Sequence, residues 1–438
     1  MQAFTNTLYT GDNLFILNGL NSNLVDLIYL DPPFNSKRMY SAPVGSKAAG
    51  SSFKDMWTWQ DVNEEYLNTL AENYPALTDF IAASAVMHSK AMAAYLTYMA
   101  QRIVEMHRIL KDTGSIYLHC DPTASHYLKV VLDEIFGKNN FRNEIIWYYR
   151  RWTAASNSFQ RMHDVILFYS KKSTVTFNKT LIEPTEGQKL KHEKGWDRNS
   201  VMIDGKRQPQ LLIYNKNKVE IAIREGRINL SEYARVHELG NTETTAPDVW
   251  EINYLNSQSK ERTGYPTQKP LALLHRIIKA SSNEGDIVMD PFCGCATTCV
   301  AAQQLGRKWI GIDIEKQAVD ILIERLSDDA GLFKNFVNTT IVPQRTDIKI
   351  EAPSESVKER LYKEQNGRCN ACGTKFDSWN LEIDHIIPKA KGGGDYYENY
   401  QLLCGNCNKI KGDRPMEYLR KKIKTREELL GTKILFGE

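Results

Sequence analysis

The run from Leu24 to Leu30, apolar and rich in strand formers, ends abruptly on Asp31-Pro32-Pro33-Phe34. Two consecutive prolines supply no backbone N–H groups, so a buried strand cannot continue through them. The sequence therefore predicts a central strand of an α/β sheet that stops on a carboxylate at its carboxyl end, the edge where open α/β sheets bind ligands. The same four residues suit a flat, amino-bearing substrate. Asp31 can accept a hydrogen bond from an exocyclic NH₂, the Pro32 carbonyl can accept a second, and Phe34 offers a stacking face worth roughly 1–3 kcal/mol per base. Asp-Pro-Pro is also an ordinary turn, so these four residues alone leave both readings open.

A second loop lies far downstream, in Asp286-Ile-Val-Met-Asp290-Pro-Phe292-Cys-Gly294-Cys-Ala296-Thr-Thr298. It follows a short apolar strand and opens a helix predicted over Thr297 to Leu305, so its backbone can approach a ligand at the helix start. The next strand, Trp309 to Asp313, ends on an acid, which at roughly twenty residues beyond a glycine loop suits ribose hydroxyls.

With both loops in view, the chain resembles the DNA amino-methyltransferases of the β arrangement, in which Asp-Pro-Pro-Phe precedes the S-adenosylmethionine loop. The resemblance covers residue 7 to about 330 and includes Gly11-Asp12, Gly114 to Asp121, Glu134 to Trp147, and Tyr265-Pro-Thr267-Gln-Lys269-Pro270. It implies a Rossmann-like, S-adenosylmethionine-dependent methyltransferase fold. It also implies that Asp31, Pro32 and Phe34 are catalytic, that Asp12 contacts the cofactor's adenine, and that Thr267 and Lys269 close over its methionine end. Asp290, Phe292, Gly294 and Asp313 are implied to hold the rest of the cofactor. Asp-Pro-Pro-Phe in place of Ser-Pro-Pro-Tyr implies adenine N6 rather than cytosine N4 as acceptor. One departure is Ala296, where the family usually has a second glycine; its Cβ is expected to crowd the cofactor and weaken binding at most.

Composition narrows the class. A chain of 438 residues with 42% hydrophobic and 25% charged residues, and no apolar run of membrane-spanning length, reads as soluble and globular with no membrane partner. The first residues lack the basic and apolar regions of a signal peptide, so a cytoplasmic location, in a bacterial or phage-infected cell, is expected. Net charge is only +3, yet Arg150 to Leu230 holds sixteen Lys or Arg against eight Asp or Glu, leaving the remainder net acidic. A basic middle segment reads as a clamp on a polyanion, here double-stranded DNA, or as a solvated insertion. The stretch from Ser170 to Pro247 loses the β-α rhythm, and target recognition is assigned to an insertion at about 170–262. Ser36 to Trp59, with Phe53, Trp57 and Trp59, reads either as a loop that orders on substrate entry or as one pinned by its aromatic residues. A homodimer is admitted but not required.

The methyltransferase region is expected to span 1–340 and a linker 341–356, where two prolines interrupt a stretch without an apolar face. Within a small domain at 357–420, Cys369-x₂-Cys372 and Cys404-x₂-Cys407 have the spacing of a structural four-thiolate zinc site. Between the pairs, Asp384-His385, Asn399 and the following Asn408 resemble the HNH endonucleases, which implies a zinc-stapled ββα-metal domain. By that resemblance His385 is the general base, Asp384 and Asn408 hold Mg²⁺ or Mn²⁺, and Asn399 fixes the loop carrying the histidine. A basic tail, 421–438, closes the chain. The expected activity is site-specific adenine-N6 methylation of DNA joined to nicking or cutting, as in restriction-modification or phage enzymes. The alternatives are a methyltransferase whose zinc domain only grips DNA, a cytosine-N4 enzyme, or an RNA methyltransferase.

Overall fold

A computed structural model describes residues 6–34, 38–42, 46, 52–55, 57–58, 62, 70–71, 73–150, 157–182, 186–239, 244–256, 258–315, 319–325, 336–389, 393–414, 416, 418–420 and 422–423. Its framework is one sheet built from β1 (Asn6–Thr10), β2 (Val25–Leu30), β3 (Leu110–Cys120), β4 (Phe141–Tyr148), β5 (His163–Ser170), β6 (Val249–Glu251), β7 (Ile287–Asp290), β8 (Lys308–Asp313) and β9 (Phe336–Thr339). The strand order is β6-β4-β5-β3-β2-β7-β8-β1-β9. Every pairing is parallel except those of β5, which runs antiparallel to both β3 and β4.

The central strands are apolar on both faces because helices cover both. Val25, Leu27, Ile28, Tyr29 and Leu30 of β2 are all buried. One face packs on the helix Lys90–Ile109, whose Ser89 caps its start by accepting from the Met92 amide and whose Met92, Leu96, Met99, Ile103 and Met106 are buried. The other face packs on Leu271–Ser281 through Leu273, Leu274, Ile277 and Ile278. The prolines end β2 as expected, and the adjacency β2-β7-β8-β1 gathers four carboxyl ends side by side.

Lys179–Pro247 forms a separate compact unit. It is narrower than the expected insertion and more ordered than its polar sequence suggested. A hairpin of Trp196–Ile203 with Lys206–Ile213 carries a third strand, Arg235–Glu238, and the helix Lys216–Arg224. Trp196, Leu211, Ile213, Val219, Ala222 and Ile228 form its own small core. Residues 249–251, expected within the insertion, instead extend the main sheet as β6.

The segment expected as a linker is tied at both ends. A Cβ on Gly19 would lie 1.9 Å from the Pro343 carbonyl oxygen, so only glycine admits this approach. Thr346 exchanges hydrogen bonds with Asn21, and Asp347 accepts from the Ser22 amide. Further on, the Glu351 amide donates to Asp395, and the Glu351 carbonyl accepts from the Tyr400 hydroxyl. The C-terminal domain that follows is a hairpin, Leu381–His385 with Tyr400–Cys404, and a helix, Gly405–Lys411. Most of the expected basic tail, and Ser36 and Trp59 of the aromatic loop, lie outside the described residues. Among the described residues no helix is long and apolar enough to cross a membrane.

Candidate active site

The four neighbouring strand ends enclose a cavity of about 660 Å³. Its lining brings together Asp31, Pro32 and Phe34 from the end of β2 and Asp12 from the end of β1. It also includes Asp290, Phe292 and Gly294 after β7, Asp313 at the end of β8, and Thr267 and Lys269. Residues scattered over 302 positions of sequence thus share one wall because parallel strands deliver their carboxyl ends to the same edge.

The acids differ in their partners. Asp31 Oδ2 carries the ammonium of Lys269, whereas Asp31 Oδ1 is buried without a hydrogen-bond partner among the described residues. Asp290 braces the loop, accepting from the Phe292 amide at 3.0 Å and the Thr298 hydroxyl at 2.5 Å. Burial pushes its carboxyl up to about 7, against those two bonds. Asp313 accepts from the Gly294 and Glu315 amides at 2.7 and 2.8 Å, and burial raises it to about 6. Asp12 caps the helix Asn13–Gly19 and pairs with the buried Arg102 at 2.9 Å. Arg102 was not anticipated from sequence, because an arginine in an amphipathic helix reads as surface until the Asp12 and Asn13 partners are placed against it.

Gly294 has φ +49°, and a Cβ there would approach the Tyr265 ring to 2.9 Å. Ala296 corrects the expectation made for it. Its φ of +56° is left-handed, but its methyl is fully buried in the core beneath the loop and does not line the cavity. The alanine therefore costs backbone strain rather than cofactor space. Trp57 lines the cavity and packs on Tyr98 at a centroid distance of 4.0 Å, so at this position the aromatic loop is pinned.

In the small domain, the four cysteine sulfurs of Cys369, Cys372, Cys404 and Cys407 lie within 4.8 Å of one another. The hydrogen bond from Cys407, then backbone amides, hold the Cys369 thiol below its ordinary range. A clustered four-sulfur set fits zinc, which binds thiolates at about 2.3 Å. Asn399 clamps the turn after His385, accepting from the Ile387 amide and donating to the Ile387 and Gly394 carbonyls. His385 Nε2 lies 2.9 Å from Asp395 Oδ1, a partner not anticipated because it sits ten residues on in an irregular loop. Lys389 above all, then His385 and Tyr400, hold the Asp395 carboxyl at about 2.

The two residues expected to hold the nuclease metal engage different partners. The Asp384 carboxylate is buried against Lys411 Nζ, at 3.1 Å, and Gln401 Nε2, at 2.8 Å, while the Asn408 amide donates to Glu382. The ammonium of Lys411 thus already neutralises the carboxylate expected to hold the cation.

Residues 25–324 match the family model described as DNA methylase, of the N6/N4 type. The chain belongs to the N6/N4 DNA methylases. Residues 369–414 match the HNH endonuclease model, so the methylase carries an HNH domain. It is 30% identical over 373 residues to the type II methyltransferase M.EcaI of Enterobacter cloacae, covering 77% of this chain and 73% of that protein. It is 26% identical over 322 residues to the DNA adenine methyltransferase YhdJ of Escherichia coli K12, covering 73% and 82% respectively. The M1.HpyAVI–SAM complex is a solved structure similar to the methylase at 18% identity and a TM-score of 0.37, covering 73% of this chain and 98% of that one. In the methylase, then, all ten residues expected around the transfer site line one cavity.

Proposed function

We propose that the methylase transfers a methyl group from S-adenosylmethionine to the N6 amine of adenine in duplex DNA, and that its HNH domain nicks or cuts phosphodiesters. The observation that carries the first part is Asp31 Oδ1, a buried carboxylate oxygen without a hydrogen-bond partner among the described residues, on a side chain that lines the cavity together with Gly294 and Asp313. An unsatisfied buried acceptor costs about 1–3 kcal/mol and is retained where a ligand satisfies it. Asp-Pro-Pro-Phe and the adenine specificity named for YhdJ support adenine over cytosine.

When bound, S-adenosylmethionine supplies an electrophilic methyl group. Asp12, Asp313 and the Gly294 backbone would hold its nucleoside part, and Thr267 and Lys269 its amino-acid part. Asp31 Oδ1 accepts one amine hydrogen and the Pro32 carbonyl the other, which aims the nitrogen lone pair away from both and into the cavity. Phe34 supports the flipped ring, offsetting part of the few kcal/mol that unstacking costs. Forming the N–C bond would break the sulfur–methyl bond, whose electron pair stays on the departing thioether; the amine would become cationic, and Asp31 would take the surplus proton. In the basic segment from Arg150 to Leu230, lysines and arginines would contact phosphate; four cysteines would hold zinc. In the HNH domain Asp395 fixes His385 through Nε2, leaving Nδ1 as the nitrogen to deprotonate water.

Asp31→Ala, assayed by tritiated methyl transfer into duplex DNA followed by nucleoside analysis, should abolish N6-methyladenine. Undiminished transfer, or N4-methylcytosine as the wild-type product, refutes the assignment. His385→Ala should abolish Mg²⁺- or Mn²⁺-dependent cleavage and spare methylation. One observation favours a second reading, a zinc domain that grips without cutting: the Lys411 ammonium already neutralises Asp384. DNA binding by the wild type with no cleavage in either metal would select it.

A further inference from the structure

Behind the acceptor-binding residues lies a polar pair that packing alone does not require. His119, the penultimate residue of β3, lies one residue beyond Leu118, which pairs with Leu30, so its ring stands directly beside Asp31. The side chain is wholly buried, and it does not line the cavity. Its Nε2 lies 3.2 Å from Asp164 Oδ2 on β5, and its Nδ1 lies 2.9 Å from the Tyr29 hydroxyl and 3.9 Å from Asp31 Oδ1. The second Asp164 oxygen accepts from the Tyr149 hydroxyl at 3.0 Å. Burial alone would raise Asp164, but its bonds from His119 and Tyr149 and the nearby Lys269 hold it at about 2. The His119 ring also stands 5.8 Å from Phe34, tilted by 32°, and meets Trp147 edge-on at 5.5 Å.

We infer that Asp164 and His119 are positioning residues for methyl transfer: Asp164 fixes the imidazole, and the imidazole fixes Tyr29 and Phe34 around the orphaned oxygen of Asp31. A charged carboxylate on Nε2 makes that nitrogen the donor and leaves Nδ1 facing the Tyr29 hydroxyl and Asp31. The ring thereby occupies the space behind Asp31 Oδ1 without bonding to it. That oxygen stays available to an incoming amine, while Tyr29, which would otherwise compete for it, is held on Nδ1. A hydrocarbon side chain would fill the same volume but release the Tyr29 hydroxyl toward Asp31.

This inference rests on the proposed adenine methyl transfer, and the experiment separates the two. His119→Phe, His119→Asn and Asp164→Asn are compared with wild type for cofactor Kd by calorimetry, and for KM (DNA) and kcat by methyl incorporation. Positioning predicts a cofactor Kd within about twofold throughout. It predicts kcat down roughly 30-fold or more in His119→Phe, with a smaller fall in Asp164→Asn. In His119→Asn, whose amide can still engage Tyr29, kcat is partly restored. Equal kcat in wild type and all three variants overturns it. So does a parallel loss of cofactor affinity and kcat, the mark of a merely structural role; if His119→Phe does not fold, Asp164→Asn and His119→Asn decide by the same criteria. Absence of transfer by the wild type refutes instead the proposed function.

Discussion

Replacing Ala296 by glycine separates two explanations for an alanine in a glycine-rich loop. Ala296 sits at φ +56° and ψ +35°, where an L side chain costs roughly 1–2 kcal/mol. Glycine removes that strain but gives up a fully buried methyl, about 0.8 kcal/mol, and adds roughly 0.5–1 kcal/mol of unfolded-state entropy. The terms nearly cancel, so stability should change by less than about 1 kcal/mol. Since the methyl points into the core, the calorimetric Kd for S-adenosylmethionine should stay within about twofold. The contrast is Gly294→Ala, whose Cβ would meet Tyr265 at 2.9 Å on the cavity side, and which should weaken the cofactor about tenfold or more. If Ala296→Gly tightens binding fivefold or more, roughly 1 kcal/mol, the methyl reaches the cofactor and the geometric argument is wrong.

Other perturbations have equally definite outcomes. Because burial raises Asp290 to about 7, its ionisation opposes folding, and the fold should be most stable on this account below the ordinary carboxylate range and lose stability as pH rises through 7. Asp290→Asn should therefore melt higher than wild type at pH 8, by an amount that shrinks toward pH 5; a constant difference argues against the linkage. Chelating zinc, or Cys372→Ser, should unfold the HNH domain, seen as new proteolytic cleavage after residue 357, while methyl transfer persists. In the basic segment from Arg150 to Leu230, neutralising one phosphate-contacting lysine should reduce the slope of log K against log salt by about 0.9, whereas an unchanged slope places that lysine away from the backbone.

What could be read beforehand followed from how local the signal was. Asp31-Pro32-Pro33 ends a strand by its own chemistry, and Gly294 marks a loop by its own freedom, so their meeting needed only the rule that parallel strands share a carboxyl edge. The unit at 179–247 escaped because its core is six residues drawn from a hairpin, a helix and a turn, none apolar enough alone to show a period. Helix Pro75–Met87 escaped for a related reason, being rich in alanine with only Leu77, Ile81 and Ser84 buried. The polar partners Arg102, His119, Asp164 and Asp395 were invisible because each acquires its meaning from a side chain 10 to 90 positions away.

The strap from Pro343 to Glu351 gives the molecule a fixed polarity. It anchors on Asn21 and Ser22, just before β2 begins, whereas Asp31 lies just past the point where the same strand ends. Six residues of strand, about 20 Å, therefore stand between the tether and the transfer site. Lengthening the strap would enlarge the reach of the HNH domain from the blunt end of the sheet, yet leave the chemistry at the opposite edge untouched.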